Sequence, residues 1–448
     1  QSGTVQTSNT FNTFSTCSPL SFSGSMDATL RVWGVTQYND DHERQQRTRQ
    51  ERRAREAAER TGGKLTAATV AARPPPSAMD GCTRYEAECL STVYCLGAVT
   101  CLEWIDMGHQ RGSQGNQRGN QRGNQRGNQR GNQRHQRPER HVMFGTTQSE
   151  IKVWDIHTQA YVTEFRTKSS HPLVTDVCFS QAHNIAAVSS ITRGGWMATQ
   201  TGALHKAGNS NGNGSGGSSG GRRSPLSSSV QVWSVDHRGL SHELMNNSNG
   251  GNGDGGCVTK MVMNGQGTTL VTGSTDGVVR MYDIDTHQEI HAFNAHMDGG
   301  GVGGVVYRPG KGGENEVLVT CGRSDGNILD WDIRDLKTGP KVVRRYTGAT
   351  MNDRNEQHHN YHLDMRYDAS SNYLMTGSKG GRGVLYKTFK KSPIDYFGHH
   401  HNSVVAVDWM PVWTIGHDST MSFALTGSLD GSMCIWSLMK KKTGDGGV

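Results

Sequence analysis

The sequence holds little that would tie it to a membrane or to an oxidising compartment. No apolar run approaches the ~18 residues a membrane helix requires, so a membrane is not an expected partner. Nine cysteines occur, but none forms a CxxC pair. Cys89, Cys95 and Cys101 stand too far apart for a zinc knuckle and lack matching histidines. Most of the others fall in apolar strand-like runs such as Val177-Cys178-Phe179 and Met433-Cys434-Ile435. That is the usage of reduced, buried thiols in a nuclear or cytoplasmic protein.

Catalytic signatures are equally scarce. There is no GxxxxGK[ST] phosphate loop and no HExxH pair. Gly208-Asn209-Ser210-Asn211-Gly212 fits GxSxG in form, but it lies in a Gly/Ser/Asn tract and not on a strand-to-helix elbow. The runs His358-His359 and His399-His400-His401 read as loop and corner residues, not as metal ligands. The expectation is a non-enzyme with no cofactor, no metal and no small-molecule substrate. Gln1 rather than Met opens the chain, as expected of a fragment or processed product.

What the chain does have is glycine, 58 residues of it, in 448 residues of which only 33% are apolar. The average is misleading, because three low-complexity insertions dilute an ordinary globular composition. Residues 36–85 are charged and then Ala/Pro-rich, 107–139 are GNQR repeats, and 192–229 are rich in Gly, Ser and Asn. Much of the net charge of +7 comes from arginine in these segments, so it is weak evidence for a nucleic-acid partner. The GNQR run sets Arg118, Arg122, Arg126, Arg130 and Arg134 at every fourth position with no apolar content. It can contact RNA phosphates, or it can be a solvated repeat expansion tolerated on a loop. Glu43–Arg60 mixes acid and base at helical spacing with almost no apolar face, and reads as a solvated helix.

The rest of the chain repeats. Six segments run from a Gly through a turn into an alternating apolar strand that ends in Trp or Tyr: Ser23–Trp33, Phe144–Trp154, Thr272–Tyr282, Cys321–Trp331, Thr376–Tyr386 and Thr426–Trp436. In each the Gly and the aromatic are nine apart: 24 and 33, 145 and 154, 273 and 282, 322 and 331, 377 and 386, 427 and 436. A seventh aromatic, Trp233, ends a matching strand without the turn before it. Once the insertions are removed, the units recur about every 50 residues and hold four short strands each. The fold class expected is all-β: one seven-bladed β-propeller over residues 1–442, with a flexible tail at 443–448. The last unit lacks a convincing outer strand, and residues near Thr4–Thr7 are candidates to supply it.

These units resemble WD repeats. Trp154-Asp155 and Trp331-Asp332 carry the Trp-Asp ending, Tyr282-Asp283 is a variant, and Gly398-His399 resembles the Gly-His that opens such a repeat. The resemblance implies a hydrogen-bonded network inside each blade. Its turn carboxylates would be Asp27, Asp276, Asp325 and Asp430, its histidines His296 and His399, and its aromatics Trp331 and Trp436. Gln148 and Gly380 stand where two of those aspartates would be, so those two networks should be incomplete.

The segment Cys321–Leu336, CGRSDGNILDWDIRDL, resembles a further pattern. Substrate receptors of cullin-RING ubiquitin ligases often carry a repeat ending in Trp-Asp-x-Arg after a turn Asp. Asp325, Trp331, Asp332 and Arg334 match it, while Arg323 and Asp330 replace a small and an aliphatic residue. The resemblance implies docking on an adaptor protein in a multi-subunit complex. The alternative is that Arg334 merely pairs with Asp332 or Asp335 on a surface turn.

Overall fold

The computed structural model describes residues 20–24, 27–37, 85–106, 140–156, 158–192, 228–245, 256–296, 301–308, 317–323, 327–348, 364–368, 370–378, 380–398, 400–409, 413–415 and 419–439. Among them every regular element is a strand. The chain divides into two compact units, residues 1–23 with 30–93, and residues 24–29 with 94–448.

The first sheet joins β1 (Leu20–Gly24), β2 (Thr29–Gln37) and β3 (Tyr85–Tyr94) in the order β1-β2-β3. It carries Trp33, and Leu30 and Val32 in β2 are buried.

Six further sheets make up the larger unit. The second is β4 (Val99–Asp106), β5 (Arg140–Thr146), β6 (Glu150–Asp155) and β7 (Ala160–Arg166). The third is β8 (Leu173–Ser180), β9 (Ile185–Ile191), β10 (Ser228–Ser234) and β11 (Gly239–Met245). The fourth is β12 (Val258–Met263), β13 (Thr269–Ser274), β14 (Val278–Asp283) and β15 (Glu289–Asn294). The fifth is β16 (Val302–Arg308), β17 (Val317–Gly322), β18 (Ile328–Asp332) and β19 (Lys341–Tyr346). The sixth is β20 (Met365–Tyr367), β21 (Tyr373–Thr376), β22 (Arg382–Lys387) and β23 (Asp395–Gly398). The last holds β24 (Val404–Trp409), β25 (Trp413–Ile415), β26 (Ser419–Ser428) and β27 (Met433–Met439).

Within the first five of these sheets the chain meanders, so each strand pairs antiparallel with the one before it. The innermost strands of successive sheets pack in sequence, β4 on β8, β8 on β12, β12 on β16, β16 on β20 and β20 on β24. The core accordingly lies between sheets. Val271, Met281 and Val279 of the fourth sheet meet Val305, Leu318 and Trp331 of the fifth. Val319 and Ile328 of the fifth meet Leu374, Val384 and Tyr386 of the sixth.

That packing explains the glycine of the repeated ruler. A Cβ on Gly145 would lie 2.4 Å from Val174, and one on Gly273 would lie 2.5 Å from Val302. On Gly377 it would meet the Val404 carbonyl oxygen at 2.0 Å. In each case the neighbour belongs to the next sheet's inner strand, so only glycine lets the sheets approach this closely.

Two expectations change. Among the described residues the larger unit holds six blades, not seven, and the sheet built around Trp33 shows three strands and falls in the other unit. Residues 38–84 intervene between β2 and β3, which pair all the same, and residues 1–19 before β1 lie outside the described residues. The last sheet also differs from its neighbours. Both β24 and β25 lie on the same edge of β26, and β27 on the opposite edge, so no fourth layer covers β27 among the described residues. The strand near Thr4–Thr7, the Glu43–Arg60 helix, the GNQR arginines Arg118, Arg122, Arg126, Arg130 and Arg134, and the tail at 443–448 lie outside the described residues. So do most of the three insertions: the strands stop at Asp106 and resume at Arg140, and stop at Ile191 and resume at Ser228.

Candidate functional site

Buried side-chain networks at the ends of the second and third strands hold the blades. In the fifth sheet, His296 Nε2 lies 2.8 Å from Thr320 Oγ1, and the Trp331 indole N–H donates to the same oxygen at 2.8 Å. All three residues are buried. The last sheet repeats the arrangement. His400 Nε2 stands 2.7 Å from Thr426 Oγ1, and Trp436 Nε1–H donates to that oxygen at 2.8 Å. Asp430 closes the turn there, accepting the Ser432 hydroxyl at 2.5 Å, the Ser432 N–H at 2.8 Å and the His401 N–H at 2.7 Å. These bonds, the Ser432 hydroxyl foremost, hold its carboxyl below the usual range. The histidine of this network is His400, one residue past the His399 read from the sequence. Gly398 still belongs to β23, and His400 is the residue that turns inward. His399 and Asp325 lie outside the described residues.

Other sheets build the same turn from different parts. Asp276 accepts the Ser274 hydroxyl at 2.7 Å and the Val278 N–H at 3.0 Å, and pairs with Arg280 at 2.9 Å. Asp27 accepts both the N–H and the hydroxyl of Thr29. In the second sheet the Gln148 N–H instead donates to Thr146 Oγ1. Replacing the shared acceptor should be costly. Thr320→Val leaves two buried ring nitrogens unpaired, and should lower unfolding free energy by about 2 kcal/mol in denaturant titration.

The turn after Trp331 presents Arg334. Asp332 accepts the Arg334 backbone N–H at 3.1 Å, Nε–H at 2.9 Å and Nη2–H at 2.5 Å. The arginine side chain is 66% exposed, and pairing with it takes the Asp332 carboxyl down to about 2. Asp335 caps the next turn through the Lys337 and Thr338 N–H groups. Asp332 thus fixes the direction of Arg334 and leaves Nη1 for another acceptor.

Asp330, the charge where an aliphatic residue was expected, is 1% exposed. Its Oδ2 accepts the Tyr346 hydroxyl at 3.1 Å and Arg344 Nη1–H at 3.3 Å, and burial pushes its pKa up against these partners. The fifth sheet buries both faces of β18, so this strand hides a carboxylate only because β19 brings Arg344 directly opposite it.

A second polar cluster went unread in the sequence. The inner strands of the larger unit carry isolated charges, and alternation turns them all toward the central channel. Lys260 of β12 lies 3.3 Å from Asp176 of β8 and 3.6 Å from Asp364, just before β20. It spans that distance because the intervening blade offers Gly304 at the matching register, opposite Cys321 as Lys260 is opposite Gly273. Asp176 also accepts the Met261 N–H at 2.7 Å. A second layer holds Glu103 of β4, Arg366 of β20 and Asp408 of β24, which feel one another's charge. Burial pulls on the Lys260 ammonium, yet Asp176 and Asp364 keep its pKa above the usual range. Burial in turn pushes Glu103 up to about 7, because Arg366 opposes it only from a distance. Arg366 Nε also lies 3.9 Å from Asp364 Oδ2, so the two layers share that carboxylate.

A family model described as WD domain, G-beta repeat matches residues 248–283, the first three strands of the fourth sheet. The chain is 23% identical over 350 residues to a WD repeat-containing protein 91 homolog of Dictyostelium discoideum, covering 78% of this chain and 34% of that protein. It is 29% identical over 202 residues to WD repeat-containing protein 91 of Xenopus tropicalis, covering 42% and 24%. With the Danio rerio protein of that name it shares 23% over 333 residues, covering 68% and 39%. The chain therefore spans well under half the length of these relatives. Sheets repeated around inward-facing strands, with His–Thr–Trp networks inside the blades, define a β-propeller. Residues 248–283 match a WD repeat, and the chain as a whole is similar to WD-repeat proteins.

Proposed function

We propose that this chain is a non-catalytic protein-interaction scaffold, acting in the nucleus or cytoplasm within a multi-subunit complex. The inner charges are spent on one another, while the chemistry offered outward sits on turns held by rigid blades. Seven aromatic-ended units, one per sheet, support a seven-bladed ring as the complete platform.

The finer reading is a substrate-recognition subunit of a cullin-type ubiquitin ligase. Its support is Arg334, exposed and aimed by Asp332 at the end of a Trp-Asp-x-Arg turn. Arg334→Ala should abolish co-purification with a propeller adaptor while the melting temperature stays unchanged. Retention of the adaptor would remove this assignment. Recovery of ribonucleoprotein subunits, lost when residues 113–134 are deleted, would favour the competing reading of RNA contact through Arg118 to Arg134.

A further inference from the structure

The turn between β22 and β23 presents an aromatic ring that the fold has no evident reason to expose. Phe389 is 68% exposed and adopts φ +73°, a conformation a bulky residue takes only when its surroundings impose it. Two guanidinium groups lie over the ring, Arg308 at 4.9 Å and Arg344 at 5.2 Å from its centroid. Arg344 is the residue tethered by buried Asp330. The carboxylate hidden in β18 thus positions a largely buried cation, with 16% of its side chain exposed, over an aromatic ring of the next blade.

The turn is fixed to the fifth sheet as well. The Thr347 N–H donates to the Lys391 carbonyl at 2.9 Å, and the Tyr386 hydroxyl donates to the Thr347 carbonyl at 3.0 Å. Around Phe389 stand Lys387, Lys390 and Lys391, all exposed, and Asp395 is the one carboxylate between residues 387 and 398. Ile394 and Tyr396 add exposed apolar surface at 43% and 40%. The patch is therefore cationic, partly apolar and rigid. With guanidiniums already on its face, the ring offers its electropositive edge, which suits carboxylates better than stacked bases.

We propose that the Phe389 turn and the Arg308–Arg344 pair form a docking surface for an acidic polypeptide segment that carries aromatic or aliphatic side chains among its carboxylates. Charge complementarity selects the segment and Phe389 anchors it. The inference rests on the scaffold reading, but not on Arg334.

Binding is measured by fluorescence anisotropy of the full chain with a labelled peptide of alternating glutamate and phenylalanine. Oligouridylate and inorganic phosphate serve as competitors. The peptide should bind with an affinity that falls as salt rises. Phe389→Gly should weaken it about tenfold, and paired Lys390→Glu and Lys391→Glu should do the same. The glycine variant removes the positive-φ side chain, so it should melt at or above the wild-type temperature. No binding by the wild-type chain, equal affinity in both variants, or tighter binding of oligouridylate at the same lysines would overturn the proposal. Any of these would leave Arg334-dependent co-purification unaffected, so the two assignments fall separately.

Discussion

Replacing Lys260 by methionine should destabilise the protein by about 3–5 kcal/mol, although the substitution keeps most of the side chain's length and adds apolar surface. Among the described residues Lys260 is the one cation within salt-bridge distance of both Asp176 and Asp364, and Arg366 reaches Asp364 alone. The Asp176 side chain is 5% exposed, so removing the ammonium leaves its charge in an enclosed channel with the Met261 N–H and the charge of Arg366 to compensate. The double variant Lys260→Met with Asp176→Asn should recover much of the loss. Asparagine keeps an oxygen for that N–H while discarding the charge. Unfolding in denaturant, read for wild type, both single variants and the double, measures the coupling as a cycle. A Lys260→Met chain that unfolds at the wild-type midpoint would mean that water in the channel solvates these carboxylates well enough to make the bridge redundant.

The repeat unit was legible because its spacing is enforced twice over. Gly145, Gly273 and Gly377 each meet the next sheet at a distance no side chain tolerates, and Tyr282 and Tyr386, nine residues after the last two, pack between sheets. Both constraints leave residue types that can be read without a structure. The channel was not legible for the opposite reason. Asp176, Lys260, Arg366 and Asp408 are single charges in otherwise apolar strands, tens of residues apart, and each alone resembles a strand-edge charge. Aligning the inner strands on their alternation, LVTDVCF with VTKMVMN and VVAVDWM, would have shown them falling on one face. His400 was missed by one position because three consecutive histidines satisfy the same motif, and only burial separates them. Asp330 was seen as an anomaly, but its partners Arg344 and Tyr346 lie on the next strand, at a register the sequence does not state.

The other large effect should appear with pH. Glu103 is pushed up to about 7 by burial in the channel, and in the unfolded chain it returns to its ordinary carboxylate value. The folded state therefore favours the protonated acid. The favourable contribution is complete below about pH 4.5 and fades as pH rises through about 7. At about 1.4 kcal/mol per unit, the difference should not exceed about 3.5 kcal/mol. Asp176 and Asp408, also raised by burial, shift in the same direction, whereas the bonds at Asp332 and Asp430 act the other way near the acid limit. Glu103→Gln isolates the contribution, because the amide imitates the neutral acid at every pH. Across about pH 5 to 8, the variant should gain on the wild type, most steeply near about pH 6 and levelling off above about 7. If the two stability curves stay parallel, Glu103 is already ionised and held by the distant Arg366. The second layer would then be an ion-paired ring like the first, and the channel would carry no proton near neutral pH.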